Sequence, residues 1–280
     1  MAVGDFLKNM RVRGGILIFP ALSLLVLSCI PFRDSPFSTQ LLRSERNLNS
    51  VNLTLVQNIE EDGVIRIAIF ADSHQNYADL DKIIKGINQT SGIDFLVNLG
   101  DSTNSAFNFE YDQFLSLYSK IAVPKFSVVG NHDAIGSGME LFESAFGPWN
   151  FSFDSPQYRF IFWHSANLED QDGFDPDWLA RTVEQSMNPV FIFTHVPLED
   201  TERYHERVRD VLLGVIQSPK VLAIFNGHNH GYSLRNNSGT ILLQAPRVEH
   251  ARWLIVEVGG GGLMIRQIKE GQSEWLAFKH

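Results

Sequence analysis

Five short islands of this chain carry side chains of the kind that bind metal ions: Asp72-Ser73-His74, Gly100-Asp101, Gly130-Asn131-His132-Asp133, Thr194-His195 and Gly227-His228-Asn229-His230. They hold five of the nine histidines, and each stands at the end of an apolar run. One such island alone is an ordinary turn, or a loop histidine satisfied by its neighbours. Five in this order, mixing carboxylate, carboxamide and imidazole without a thiolate, can build a two-metal hydrolytic site. The mixed nitrogen and oxygen donors suit Mn, Fe, Zn or Ni and disfavour calcium or a structural zinc site.

The elements that must position these side chains can be read from the spacing. Asp72 and Asp101 lie 29 positions apart, and Asp101 and Asn131 lie 30 apart. A strand-helix-strand unit takes about 30 residues, so each island falls just past the end of a successive strand. If those strands are parallel, the first three islands share one edge of a sheet, where α/β proteins place their ligands. The pattern predicts strands over 64–71, 95–99 and 125–129, helices over 77–87, 109–121 and 139–146, and a strand pair within 151–163. It continues with a helix over 177–186, a strand over 190–194, a helix over 203–216 and a strand over 221–226. Strands alone follow, over 232–235, 240–244, 253–258 and 263–269, with Gly259–Gly262 as a hairpin loop. Glycines 100, 130 and 227 are expected to let the backbone turn sharply at the islands.

With 44% hydrophobic and 20% charged residues, the 280-residue chain can bury a sizeable core. The net charge is −9, and the first 28 residues carry a surplus of two positive charges, which leaves about −11 on the rest. An acidic body excludes general nucleic-acid binding, which needs a basic footprint. It does not exclude a phosphoester substrate, because bound cations reverse the local charge.

The N-terminus has its own pattern. Lys8, Arg11 and Arg13 precede the uncharged, largely apolar residues 14–28, the layout of an export signal. Val26-Leu27-Ser28-Cys29 resembles a bacterial lipobox, in which the cysteine, here the only one in the chain, is lipidated. An uncleaved anchor or an ordinary signal remains the alternative, although Pro20 and Pro31 interrupt the apolar run. Residues 1–29 are therefore read as signal or membrane anchor, 30–62 as a polar tether and 63–280 as the functional domain, with the body exported and tethered to the membrane.

At the five islands the sequence resembles the calcineurin-like metallophosphoesterases, whose signature runs Asp-x-His, Gly-Asp, Gly-Asn-His-Asp/Glu, His and Gly-His-x-His. All five are intact here. The resemblance implies two mixed β-sheets sandwiched between helices, a four-layer α/β/β/α fold. It also implies that Asp72, His74 and His230 hold one divalent metal ion, that Asn131, His195 and His228 hold a second, and that Asp101 bridges the two. His132 would stand beside the scissile phosphate as general acid or charge stabiliser, oriented by Asp133. Two cations roughly 3.5–4 Å apart can activate water and polarise the phosphoryl oxygens.

Departures narrow the likeness. No tyrosine stands at the fourth place of Asp101-Ser102-Thr103-Asn104, where purple acid phosphatases have one, and the Arg-Gly of Ser/Thr protein phosphatases is missing there. The reading is a hydrolase of small phosphoesters, with a diester favoured. The alternatives are an extracytoplasmic nucleotide or sugar-nucleotide phosphohydrolase, a phosphomonoesterase, and a binding module that kept the fold without the chemistry. Outside the islands, His164, His205, His250 and His280 are read as packing or surface residues. An exported body predicts that washed cytosol contains no full-length protein; full-length chain recovered there by immunoblot would overturn that reading.

Overall fold

The strands that carry the islands are largely buried on both faces. The computed structural model describes residues 35–56, 59, 62–259 and 262–279; Cys29 and the rest of the 1–29 signal region lie outside the described residues. The first sheet contains β1 (Val64–Phe70), β2 (Phe95–Asn98) and β3 (Lys125–Ser127), followed in sequence much later by β10 (Trp253–Gly259), β11 (Gly262–Lys269) and β12 (Gln272–Lys279), in the order β12-β11-β10-β1-β2-β3. β1, β2 and β3 are parallel, as the 30-residue spacing requires, and β10 returns antiparallel to β1. The second sheet has the order β4-β5-β6-β7-β9-β8, from β4 (Phe151–Asp154), β5 (Arg159–Phe162), β6 (Val190–Phe193), β7 (Val221–Asn226), β8 (Ser233–Asn237) and β9 (Thr240–Gln244). Its middle strands β5, β6, β7 and β9 are parallel, and the edge strands β4 and β8 are antiparallel.

The helices are α1 (Leu48–Leu53), α2 (Tyr77–Gln89), α3 (Asn108–Tyr118), α4 (Gly138–Phe146), α5 (Pro176–Glu184) and α6 (Glu206–Ile216). In α2 the buried residues Leu80, Ile83, Ile84 and Ile87 repeat at helical spacing, and Asn76 caps the start by accepting from Asp79 N–H. Helices α2, α3 and α4 cover the outer face of the first sheet, together with Ala68 and Phe70 of β1. Helices α5 and α6 cover the second, against Ile161, Ile192 and Ile224. Between the sheets the alternate residues meet: Ile65, Ile67 and Ile69 from one side, and Phe160, Phe162, Phe191, Phe193 and Phe225 from the other. This is the expected four-layer α/β/β/α sandwich of two mixed sheets.

The inter-sheet phenylalanines stack in rows across neighbouring strands, with ring centroids 5.0 Å apart for Phe162–Phe193 and 5.1 Å for Phe193–Phe225. Truncating a buried ring of this kind costs about 3–5 kcal/mol. The rows lock β5, β6 and β7 in register, so the loops that leave their C-terminal ends start from fixed points.

Two expectations need correction. The C-terminal part has a further strand, β12, which the sequence pattern does not show. Its Trp275 is largely exposed and lies under the Arg266 guanidinium, 5.2 Å from the ring centre. More consequentially, residues 36–56 are not a free tether. Leu42 and Arg43 donate backbone N–H to Asp112, Leu41 and Val56 are buried, and α1 docks on the exposed edge of β3. There Asn49 pairs with the backbone of Ser127 as a strand would, accepting from its N–H at 2.9 Å and donating to its carbonyl at 3.0 Å, while Asn52 accepts from Lys125 N–H at 3.0 Å. Asparagine-rich composition reads as solvated linker, but here the amides satisfy an edge strand that would otherwise be open. Among the described residues no helix is long and apolar enough to cross a membrane.

Asn49 is fully buried, so Asn49→Ala leaves two buried backbone groups of Ser127 unpaired. It is expected to lower stability by about 2–3 kcal/mol in urea unfolding; a loss below a few tenths would mean that α1 does not stay docked in solution.

Candidate metal centre

The site forms where the C-terminal ends of the two sheets adjoin. Asp72 follows β1, Asp101 follows β2, Asn131 to Asp133 follow β3, His195 follows β6, and His228 and His230 follow β7. Within each sheet the loops are tied to one another by backbone: Asp72 N–H donates to Gly100 C=O at 3.0 Å, His74 N–H to Asp101 C=O at 2.9 Å, and Gly227 N–H to His195 C=O at 3.0 Å. Five of the expected ligands, Asp72, His74, Asp101, His228 and His230, have positive φ between 44° and 77°. Residues other than glycine enter that region at a cost, and such outliers gather where a side chain must be aimed.

All seven expected ligand side chains come together around Asp101. Asp72, His74, Asp101 and His230 each offer one donor atom, all within 4.8 Å of one another. On the other side of Asp101, His195 Nε2 lies 3.2 Å from its Oδ2 and 3.1 Å from Asn131 Oδ1, and His228 Nδ1 lies 2.9 Å from the same Asn131 oxygen. Asp101 thus belongs to both groups. Asp72, Asp101 and His195 are almost completely buried.

The hydrogen bonds at the far side of each ring decide what faces the centre. His195 Nδ1 is 2.8 Å from Leu99 C=O and His74 Nδ1 is 3.1 Å from Thr103 C=O, so both carry hydrogen there. Their Nε2 atoms then point inward. His74 Nε2 faces His230 Nε2 at 3.4 Å, and His195 Nε2 faces the oxygens of Asp101 and Asn131. Imidazole nitrogens and carboxylate and carboxamide oxygens thus converge on one small volume, the donor set that divalent metal ions take.

The ionisation equilibria point the same way. Burial pushes the Asp72 carboxyl up to about 7. Burial would depress His195, but the Asp101 carboxylate overcomes it and lifts the ring to about 9. Burial opposes the charge on Asp101 too, yet the surrounding histidines, His195 foremost, hold it well below the usual carboxylate range. Burial depresses His74, His228 (to about 4) and His230, so these rings stay neutral beside the ionised Asp101, and divalent metal ions suit those donor types.

His132 and Asp133 occupy different places from those expected of a pair. The His132 N–H donates to Asp101 Oδ1 at 2.9 Å, and its ring stands edge-on to His74 with centroids 5.0 Å apart. What orients that ring is the Asn104 carbonyl, 2.7 Å from Nδ1. Asp133 does not orient it. Its buried carboxylate accepts from Ser102, Thr103 and Gly130 N–H and from the Thr103 hydroxyl, at 2.9–3.1 Å, so it pins two loops to each other and does not touch the reaction. Backbone carbonyls such as that of Asn104 leave no signal in a sequence. Ser165 was also missed: its Oγ accepts from His195 N–H at 3.2 Å and Val196 N–H at 2.8 Å, fixing the loop that carries His195. Its neighbour His164 is buried against Asp170 at 3.1 Å, in the packing role expected, and His280 lies outside the described residues.

The signature glycines act through space as well as turning. Gly100 has the positive φ expected, at 93°, but at Gly130 the reason is contact: a Cβ there would lie 2.2 Å from Asp101 Oδ1 and 2.1 Å from Asp101 N.

A family model described as calcineurin-like phosphoesterase matches residues 65–232. No curated protein sequence matches the chain. Among solved structures, a dimetal phosphatase from Danio rerio is similar with a TM-score of 0.62 at 14% identity, covering 77% of this chain and 99% of that one. The purple acid phosphatase PPD1 from yellow lupin (Lupinus luteus) gives 0.62 at 15%, over 77% of this chain and only 53% of its own. GAP50, the anchor in the inner membrane complex of Plasmodium, gives 0.61 at 12%, over 77% and 88%. Identities this low speak for the fold alone.

Gly130→Ala is expected to displace Asp101 and to remove bound metal and activity together, while circular dichroism stays that of the parent. Full metal content in that variant, measured by elemental analysis, would contradict the packing described.

Proposed function

The chain belongs to the calcineurin-like phosphoesterase family, and from that premise we propose a two-metal hydrolase of small phosphoesters that favours diesters over monoesters. The observation that carries this reading is the convergence of imidazole nitrogens and the Asn131 oxygen on the buried Asp72 and Asp101 carboxylates. One ion would be held by Asp72, His74 and His230, the other by Asn131, His195 and His228, and both by Asp101. Two such divalent ions, identity open among Mn, Fe, Zn and Ni, supply Lewis-acid polarisation of the phosphoryl oxygens and make water a competent nucleophile near neutral pH.

The chain's own groups do the rest. Asn104 C=O holds the His132 ring through Nδ1, which leaves Nε2 for the substrate. As the bond from phosphorus to the leaving oxygen breaks, its electron pair stays on that oxygen, which takes the proton from His132 Nε2. Asp133 keeps the loops of Asp101 and Asn131 in register.

Charge supports the diester. Arg203 and Arg247 are the arginines whose charge acts on His228 and His230, and each is already paired, with Glu169 at 2.7 Å and with Glu249 at 2.7 Å. Neither offers an uncommitted cation to the second negative charge of a monoester dianion. The basic-then-apolar N-terminus supports a body that works outside the cytoplasm, on a substrate found there.

The test is turnover of bis(4-nitrophenyl) phosphate against 4-nitrophenyl phosphate with added Mn2+, beside Asp101→Asn. The diester should be the better substrate, and the variant should lose activity on the order of 10³-fold. Near-normal turnover in Asp101→Asn would sink the shared-carboxylate reading, and a preference for the monoester would sink the diester.

A further inference from the structure

Beyond the family's signature residues, one buried acid is wired into the position of His132. Glu110, in the first turn of α3, is 1% exposed. Its Oε1 accepts from Gln75 Nε2 at 2.5 Å and Asn104 N–H at 3.4 Å, and its Oε2 accepts from Ser105 and Phe107 N–H, both at 3.0 Å. A glutamate at this helix position commonly takes one backbone N–H, that of the capping residue, here Phe107. The other three bonds go further. They reach the loop after Asp101 and the side chain next to His74.

The loop account is complete. Ser102 and Thr103 N–H go to Asp133, Asn104 and Ser105 N–H to Glu110, Ala106 N–H to the Thr103 hydroxyl, and Phe107 N–H to Glu110. With every N–H of 102–107 committed, the peptide planes are fixed, and with them the direction of the Asn104 carbonyl that holds His132 Nδ1 at 2.7 Å. Gln75 ties the same carboxylate to the segment that carries His74. We infer that Glu110 is a positioning residue for His132: it holds the Asn104 carbonyl at the angle that aims the His132 ring at the leaving group. This rests on the reading of His132 as the proton donor.

A glutamine at 110 cannot substitute. Gln75 can turn its amide to accept, but the NH2 of a glutamine at 110 would still be set against the Asn104 N–H in one orientation and against the Ser105 and Phe107 N–H groups in the other. The consequence should be selective. A misaimed acid matters most when the leaving group is a poor one and least when it departs without a proton.

The experiment compares diphenyl phosphate, whose phenol is a poor leaving group, with bis(4-nitrophenyl) phosphate, for the full-length protein with Mn2+ and its His132→Ala, Glu110→Gln and doubly substituted variants. Glu110→Gln should lower kcat for diphenyl phosphate on the order of 10²-fold, with a far smaller loss for the nitrophenyl ester, unchanged KM and full metal content. In the His132→Ala background it should add little. If Glu110→Gln does not fold, as judged by its Tm, Glu110→Asp is read in the same way, since the shortened acid cannot span the same donors. Equal losses for both esters, or additive losses in the double variant, overturn the inference about Glu110 alone. Absence of any leaving-group selectivity in His132→Ala overturns the proton-donor reading beneath it.

Discussion

Keeping Asp101 ionised where water barely reaches it is the condition on which the C-terminal edge of both sheets depends. Burying a carboxylate costs several kcal/mol unless opposite charge and hydrogen bonds replace the lost water. Among the described residues one backbone N–H, from His132, is given to this carboxylate; Asp72 lies close beside it, and the imidazole rings of His195 and His74 face it. Those rings come from different sheets, so the charge is balanced only when the sandwich is closed. The acid therefore couples the fold to the chemistry: whatever brings β2 and β6 together also completes the pocket for a cation.

That closure supports local strain. Five of the expected ligands sit in the left-handed region, each at a cost on the order of 1 kcal/mol or more. Nothing local repays this. The stacked phenylalanines between the sheets and the helices on either face over-determine where each strand ends, so the two or three residues beyond each end have no freedom to relax. The arrangement explains why strands buried on both faces precede all the islands: a strand with one wet face would leave its C-terminal end less constrained.

Much of this is legible in the sequence, for physical reasons that also mark the limits. Spacing of 29 and 30 residues between Asp72, Asp101 and Asn131 exposes parallel strands, because a helical crossover has nearly constant length. Side chains with inherent metal affinity announce themselves by type. By contrast, the Asn104 carbonyl is a backbone atom that any residue would present there, and no residue type betrays it. Asn49 and Asn52 looked like linker because their partner is an edge strand more than 70 positions away. β12 was hidden since its exposed face, with Trp275, breaks the apolar alternation expected of a strand. Asp133 stands next to His132 in sequence, but its carboxylate turns to the backbone of Ser102, Thr103 and Gly130 instead.

The buried acids at this edge divide into two kinds, and the division itself argues for which of them face metal. Asp133 takes three backbone N–H groups and a hydroxyl; Glu110 takes three backbone N–H groups and an amide. Those donors belong mostly to the loops themselves, so both acids serve as struts. Among the described residues Asp72 and Asp101 each receive a single backbone N–H, from His228 and His132, and imidazole nitrogens of His230 and His195 lie beside them. Short of donors, Asp72 has its carboxyl pushed up to about 7 by burial, while Asp101 stays ionised against the raised His195 ring. The two acids short of donors lie on the same side of the loops as Asn131 Oδ1, itself faced by two histidine nitrogens. Two acids braced by the backbone hold the loops rigid, and two acids denied it are left with an affinity that only positive charge can satisfy.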